Sequence, residues 1–286
     1  MGKQERELVS GRAAGQRLAL VLGGGGSKGA LQAGLYRAMS ELGIRPDMIV
    51  GTSVGAFNAA FIAAGIDPDV LAEGWAGLSF RRLFGFNWKV LTRGTAASSL
   101  FSPARLRRLL ADRLPAGRLE DLPMQLSLVS THMVNGDACV WERGDLVDAV
   151  LASISIPGIL PPVLTPDGTP HVDGSLAADL PIDLACERGA TEVIAMNCRT
   201  CATCVPNPTR LPEIIGAAFG LAADRNRRAV AERYAETPNV LLLQPELGEE
   251  IPTLDFSRGE RLVREGYEYS LPHLREWLQR RAGEAA

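Results

Sequence analysis

An α/β fold with a largely parallel sheet is predicted by two features of the sequence. Short β-rich runs alternate with helical patterns along most of its length, and the first two such runs each lead through a glycine-containing turn into a helix. With 286 residues, 46% of them hydrophobic, the chain can bury a substantial core. No linker-like stretch interrupts it. A single domain is therefore expected over residues 17–281, behind a flexible tail of residues 1–16.

Leu18 to Leu22 is a short apolar run ending in four glycines, and Ser27 to Leu42 then carries helical spacing, with Gly43 placed to cap it. Met48 to Val50 is the second run, followed by Gly51-Thr52-Ser53-Val54-Gly55 and an alanine-rich helical stretch to Ala64. Asp67-Pro68 opens another helix. Ser102-Pro103 supplies N-cap and first turn for one running to about Leu114. Gln125 to His132 and Ala138 to Trp141 flank Asn135-Gly136-Asp137, a hairpin signal, and Gly144 to Ser153 is helical. Five of the 18 prolines fall between Pro157 and Pro170, an irregular connection that delivers the chain to His171-Val172-Asp173-Gly174. Pro181 to Arg188, Glu192 to Asn197, Val240 to Leu243 and Ser257 to Gln279 complete the alternation.

Composition narrows the function. A net charge of −3 gives no electrostatic case for nucleic acid, and a neutral or lipidic substrate fits better. Met1 to Gln16 has no apolar core of a secretory signal, and Arg6 occupies the Ser/Thr position that myristoylation expects. Val54 to Ile66, the longest apolar stretch, includes Asn58 and falls short of the ~20 residues that cross a bilayer. Five cysteines, an odd number, point to a reducing compartment and a cytoplasmic location. Phe80 to Lys89 packs four aromatics and three cations into ten residues, a mixture that suits a lid or peripheral membrane contact, and equally a helix that packs its aromatics inward. Arg105, Arg107, Arg108 and Arg113 make the next helix basic on its polar side, which can attract anionic headgroups or simply be solvated.

The chemistry concentrates at two turns. Gly51-Thr52-Ser53-Val54-Gly55 is a G-x-S-x-G pattern between a strand and a helix, the context of a nucleophile elbow, with Thr52 and Val54 flanking the serine and glycines where bulk would collide. Gly24, Gly25, Gly26, Ser27, Lys28 and Gly29 form a turn at a helix N-terminus whose bare amides can converge on an oxyanion. Gly24, Gly26 and Gly29 also satisfy G-x-G-x-x-G, so a dinucleotide-binding oxidoreductase is the alternative. The second strand nevertheless ends at Gly51-Thr52-Ser53, where that role expects a ribose-binding acid. The P-loop pattern fails because Ser27 precedes Lys28 and Gly29 follows it. The base is sought among His132, His171, His273 and the aspartates. None of the histidines sits in a triad signature, although His171, two residues before Asp173, would share its face on an extended strand. Asp173 is left as the direct base.

Taken together, Gly24-Gly25-Gly26-Ser27-Lys28-Gly29, Gly51-Thr52-Ser53-Val54-Gly55 and Asp173-Gly174 resemble the patatin-like phospholipases in order and spacing. Ser155 to Val163, Leu180-Pro181-Ile182-Asp183 and Asp255-Phe256-Ser257 extend the likeness over roughly Leu18 to Tyr269. The resemblance implies a three-layer α/β/α sandwich, a Ser53–Asp173 dyad, lipid or other acyl esters as substrate, and no metal or organic cofactor. One departure is Ser175, which stands where the family's aspartate motif usually ends in Gly or Ala. In the implied mechanism Asp173 takes the Ser53 proton, the glycine turn holds the oxyanion and water frees the acyl-enzyme. A carboxylate of reference pKa ~3.9 is a feeble base in water, so a desolvated Asp173 is expected. Two alternatives accompany this account: a catalytically silent lipid-binding protein of the same fold, and a metal site at Cys198-x-x-Cys201-x-x-Cys204 completed by Cys139 or Cys186.

Overall fold

The computed structural model describes residues 15–94, 97–198, 209, 211–249 and 251–284. Its strands are β1 (Leu18–Leu22), β2 (Met48–Thr52), β3 (Gly85–Phe86), β4 (Phe101–Ser102), β5 (Gln125–His132), β6 (Ala138–Trp141), β7 (Val163–Leu164), β8 (Pro170–Asp173), β9 (Glu192–Met196) and β10 (Val240–Leu243). β3 and β4 form a small antiparallel ladder, and the other eight make one sheet. Within it β10, β9, β1, β2 and β5 lie side by side and all run parallel. β6 and β8 then pair antiparallel with β5, and β7 with β8.

Alternation along the strands separates two apolar layers. Leu18, Leu20, Leu22 and Ile49 enter one core cluster, while Ala19, Val21, Met48 and Val50 enter the other. The first layer is closed by the helices Ala30–Glu41, Val54–Ala63, Pro68–Ala76, Leu146–Ile154 and Gly259–Glu284. The second is closed by Ile182–Glu187 and by the end of Leu211–Tyr234, through Val230 and Tyr234. The expected three-layer α/β/α arrangement with a mostly parallel sheet is what the structure contains. Val54–Ala63 is buried along its whole length, as a helix apolar on every side must be.

The edge of β5 decides where the site forms. Leu128 and Val129 pair with β2 and also with β6, while Ser130 and Thr131 pair with β6 and also with β8. A strand has only two edges, so β2 and β8 share the one opposite β6 and approach each other along it. β2 ends with Thr52 beside Val129, and β8 ends with Asp173 beside Ser130. The next place on that edge is taken for each chain by the other. Both must leave the sheet there.

Several expected elements differ in detail. The helix expected from Ser102-Pro103 begins at Ala104, and Ser102, which also pairs with Gly85 in the β3–β4 ladder, accepts from Ala104 N at 3.4 Å as the expected cap would. Phe80 to Lys89 is not one inward-facing helix. It breaks into Phe80–Leu83, β3 and a turn, with Phe80 and Phe84 packed on the core and Phe86 and Trp88 exposed. Leu211–Tyr234 carries no helix expectation from the sequence, and the last helix runs to Glu284. The expected tail falls mainly on residues 1–14, outside the described residues.

A buried amide network ties the two turns together. Asn58 Nδ2 donates to Gly29 O at 2.9 Å and to Gln32 Oε1 at 2.7 Å, and Asn58 Oδ1 accepts from Trp75 Nε1 at 2.8 Å. Gln32 Nε2 in turn donates to Gly23 O at 2.7 Å. Asn58, Gln32 and Trp75 are all buried. Asn58→Leu, similar in size but unable to bond, leaves these partners unsatisfied. It is expected to lower unfolding free energy by about 2–4 kcal/mol, read from urea denaturation.

Candidate active site

Ser53 follows the last residue of β2, and the collision with β8 makes the chain turn sharply. Its φ is 55° and ψ −125°, the only positive φ among the described non-glycine residues. Such backbone costs on the order of 1–3 kcal/mol and persists where neighbours enforce it. Ser53 N donates to Ser153 Oγ at 2.9 Å, and Ser153 Oγ donates to Val129 O at 2.6 Å, which pins the turn to β5. Gly55 lets the following helix lie directly on the end of β1, since a Cβ there would run into Leu22 O. Gly174 plays the matching part after β8, where a Cβ would run into Val129 O.

The two chain ends therefore meet side chain to side chain. Ser53 Oγ donates to Asp173 Oδ2 at 2.7 Å. Asp173 Oδ1 accepts from Ser175 N at 2.9 Å, and Thr131 Oγ1 donates to Asp173 O at 2.8 Å. Asp173 is 0% exposed and Ser53 5%, so the pair is shielded from bulk water. The N-terminus of Val54–Ala63 begins at Ser53 and sets the positive end of a helix dipole beside its hydroxyl.

The glycine turn is less open than its sequence implies. Gly24 N donates to Asp179 O at 3.1 Å, Ser27 N to Thr253 O at 2.7 Å and Lys28 N to Gly25 O at 3.3 Å. The amides of Gly25 and Gly26 have no hydrogen-bond partner among the described residues. Gly26, with φ 60°, is pressed against Thr253, and Ser27 Oγ donates to Pro252 O at 3.0 Å. The turn is thus covered from the C-terminal side, and two amides that a pyrophosphate would need are already bonded. The dinucleotide alternative does not fit this turn.

Gly26 and Ser53 open on one pocket. Its remaining lining is Val54, Phe57, Trp75, Leu78, Leu83, Phe84, Leu106, Ile154, Ile156, Leu254 and Phe256, without a charged group. A lining of this kind suits an apolar chain.

His171 lies elsewhere in the hydrogen-bond pattern. Its Nδ1 meets Ser130 Oγ at 3.0 Å, and its ring contacts Trp141 and His132 at 5.2 and 5.9 Å between centroids. Ser53 Oγ is bonded to Asp173 and not to this imidazole. His132 accepts from the amides of its own turn, and His273 bonds Tyr269 O. Cys198 is buried behind Gly25, whereas Cys201 and Cys204 lie outside the described residues. Among the described residues no group of three or more His, Cys, Asp or Glu is placed to hold a metal. No described helix is long and apolar enough to cross a membrane.

Sequence reasoning did not single out Ser153, Asp179, Asn58 or Gln32. Ser153 and Asp179 lie beside motifs that were read, but the partners that tie them to the two turns, Ser53 N and Gly24 N, stand 100 and more residues away in the chain.

Comparison with known proteins decides the family: the model for the patatin-like phospholipases matches residues 20–186. The chain belongs to the patatin-like phospholipase family. An uncharacterized NTE family protein of Mycobacterium tuberculosis is 36% identical over 192 residues, 66% of this chain and 31% of the relative. Patatin-like phospholipase domain-containing protein 7 of Mus musculus is 33% identical over 187 residues, 64% of this chain and 14% of the relative. Lysophospholipase NTE1 of Kluyveromyces lactis is 28% identical over 289 residues, 92% of this chain and 20% of the relative. The chain thus spans under one third of the length of these curated relatives. Among solved structures, VipD from Legionella pneumophila shares the fold at a TM-score of 0.51 and 15% identity, covering 92% of this chain and 67% of that one.

Burial holds His171 below its ordinary value of 6.5, the facing His132 adds to this, and Asp167 opposes it. The folded protein keeps the imidazole neutral where the unfolded chain protonates it, so stability is full above about pH 6.5 and falls as pH drops toward the folded value. The urea midpoint is expected to fall between pH 7.5 and 5.5 by more in wild type than in His171→Gln. An equal fall would show that this group is not the cause.

Proposed function

We propose that the protein is a serine-dependent carboxylic ester hydrolase that cleaves acyl esters of lipids, of phospholipase A, lysophospholipase or carboxylesterase type. The observation that carries this is the 2.7 Å hydrogen bond from Ser53 Oγ to a fully buried Asp173, at the mouth of an apolar pocket. Membership of the patatin-like phospholipases and the lysophospholipase name of one relative agree with it.

The acyl chain lies in the pocket and places its ester carbonyl over Ser53. Asp173 Oδ2 takes the hydroxyl proton as Ser53 Oγ attacks the carbonyl carbon. Solvent exclusion is what lets a carboxylate serve an alcohol in this way. Asp173 Oδ1 stays fixed by Ser175 N, so the carboxylate keeps its aim. The developing oxyanion is held by the amides of Gly25 and Gly26, the two members of the turn without another partner, with support from the helix end at Ser53. The proton passes from Asp173 to the leaving alcohol as the tetrahedral centre collapses. Water then enters, gives its proton to Asp173 and attacks the acyl-enzyme, and Ser53 recovers its proton as the fatty acid leaves.

Ser53→Ala and Asp173→Asn are each expected to lower kcat/KM on a short-chain p-nitrophenyl ester by about a thousandfold or more, with His171→Gln within about tenfold of wild type. A fluorophosphonate should label wild type at Ser53 and leave Ser53→Ala unlabelled. Lipid binding without label or hydrolysis would identify a silent lipid-binding member of the fold. Collapse in His171→Gln alone would move the base to the imidazole.

A further inference from the structure

The chain from the end of the helix Pro68–Ala76 into the helix Ala104–Arg113 carries a charge pattern that ester hydrolysis does not use. From Gly74 to Ala111 there are seven Lys and Arg and no Asp or Glu, in a protein whose net charge is −3. Arg81, Arg82, Lys89, Arg105 and Arg108 are exposed. Of the described side chains among these cations, only Arg107 is in an ion pair, with Asp148. Unscreened positive charge of this density attracts an anionic surface.

At the tip of the same segment, large apolar groups stand in water. Phe86 is 43% exposed, Trp88 71% and Leu91 70%, and the Phe86 and Trp88 rings lie against each other at 5.1 Å. Aromatic side chains next to cations favour the headgroup level of a bilayer, where a ring can be half buried. The tip is not loosely attached. Asn87 N donates to Leu100 O at 3.1 Å, Asn87 Nδ2 donates to Ser99 O at 2.8 Å, and Phe80 packs on Phe84 and Phe101. Leu100 N and Phe101 N donate to Gly158 O and Ile159 O at 2.9 Å, which couples the flap to the segment before Asp173. Leu83 and Phe84, from the same flap, line the pocket at Ser53. The described part of the flap thus has exposed rings and Lys89 at its outer end and two residues of the wall of the pocket at Ser53 at its inner end.

We propose that this flap is a docking surface for an anionic lipid bilayer, with Phe86, Trp88 and Leu91 entering the headgroup layer and the surrounding cations meeting lipid phosphates. Docked this way, the protein receives an acyl chain from the layer into the adjoining pocket. The purpose of the surface rests on the hydrolase proposal, whereas binding itself does not.

The test is flotation of Ser53→Ala protein, which leaves vesicles intact, with phosphatidylcholine vesicles alone and with phosphatidylglycerol added. The protein is expected to float with the anionic vesicles, to stay behind with the neutral ones, and to be released by salt. Trp88→Ser with Leu91→Ser is expected to lower the partition coefficient by about tenfold or more. The same pair of substitutions, placed in the chain with Ser53 intact, should leave hydrolysis of a soluble short-chain ester unchanged, which shows that the pocket is folded. Should that activity also fall, Lys89→Glu with Arg108→Glu replaces the pair and should abolish flotation on anionic vesicles. No flotation of the parent, equal flotation on neutral vesicles, or undiminished flotation of the variant that keeps ester activity overturns the proposal. A protein that floats as expected but hydrolyses nothing refutes the hydrolase and leaves the docking surface standing.

Discussion

Two strand ends compete for one place on the edge of β5, and the site is the outcome. β2 climbs that edge to Val129, β8 descends it to Ser130, and neither chain can take another step within the sheet. The backbone of Ser53 is forced into positive φ, Gly174 is confined beside Val129, and the side chains at the two ends face each other at hydrogen-bond distance. Backbone pairing thus does the work that flexible side chains would do less reliably: it sets the separation of Ser53 and Asp173 by the register of two ladders on a common partner. The strain at Ser53 is held by the rest of the sheet, where β1, β2, β5, β9 and β10 are hydrogen-bonded in a continuous parallel run.

The polar atoms around this junction are fewer than the glycine-rich sequence implies. Main-chain bonds consume the amides of Gly24 and Ser27, and Thr253 closes over Gly26. What the pocket retains is Gly26 and Ser53, set in a wall of aliphatic and aromatic side chains. That contrast favours a substrate with one polar bond on a long apolar body. The flap from Phe80 to Ser102 adds the other half of the geometry, because its inner residues belong to that wall and its outer ones to the surface.

Much of this was legible in the chain. β1, β5, β6 and β10 have the bounds that hydrophobic runs and the Asn135-Gly136 turn indicate; β1 and most of β5 are buried on both faces and announce themselves by composition. Ser53, Asp173 and the glycine turn were marked by local patterns, and local patterns survive folding at sharp turns. The helix Leu211–Tyr234 was missed because charge interrupts its apolar period: Asp224 and Arg227 are buried as an ion pair, so two core positions read as surface. Ser102 pairs in addition with Gly85, a partner that only the tertiary fold supplies. Ser153 had no signal of its own, as both its partners, the Ser53 amide and Val129 O, are brought to it by the tertiary fold.

The amide network around Asn58 has a consequence for how such a sequence can drift. Asn58 uses both donor hydrogens and its acceptor, so its orientation is fixed by three different neighbours rather than by shape. Gln32 and Trp75 are likewise bound to it, and Gly23 and Gly29 are held through the same set. An aliphatic contact can be exchanged for another of similar volume one residue at a time, but none of these three side chains has such a neighbour in sequence space. Replacing Gln32, Asn58 or Trp75 alone leaves the polar groups of the other two short of a partner, so the spacing between the two turns depends on all three at once.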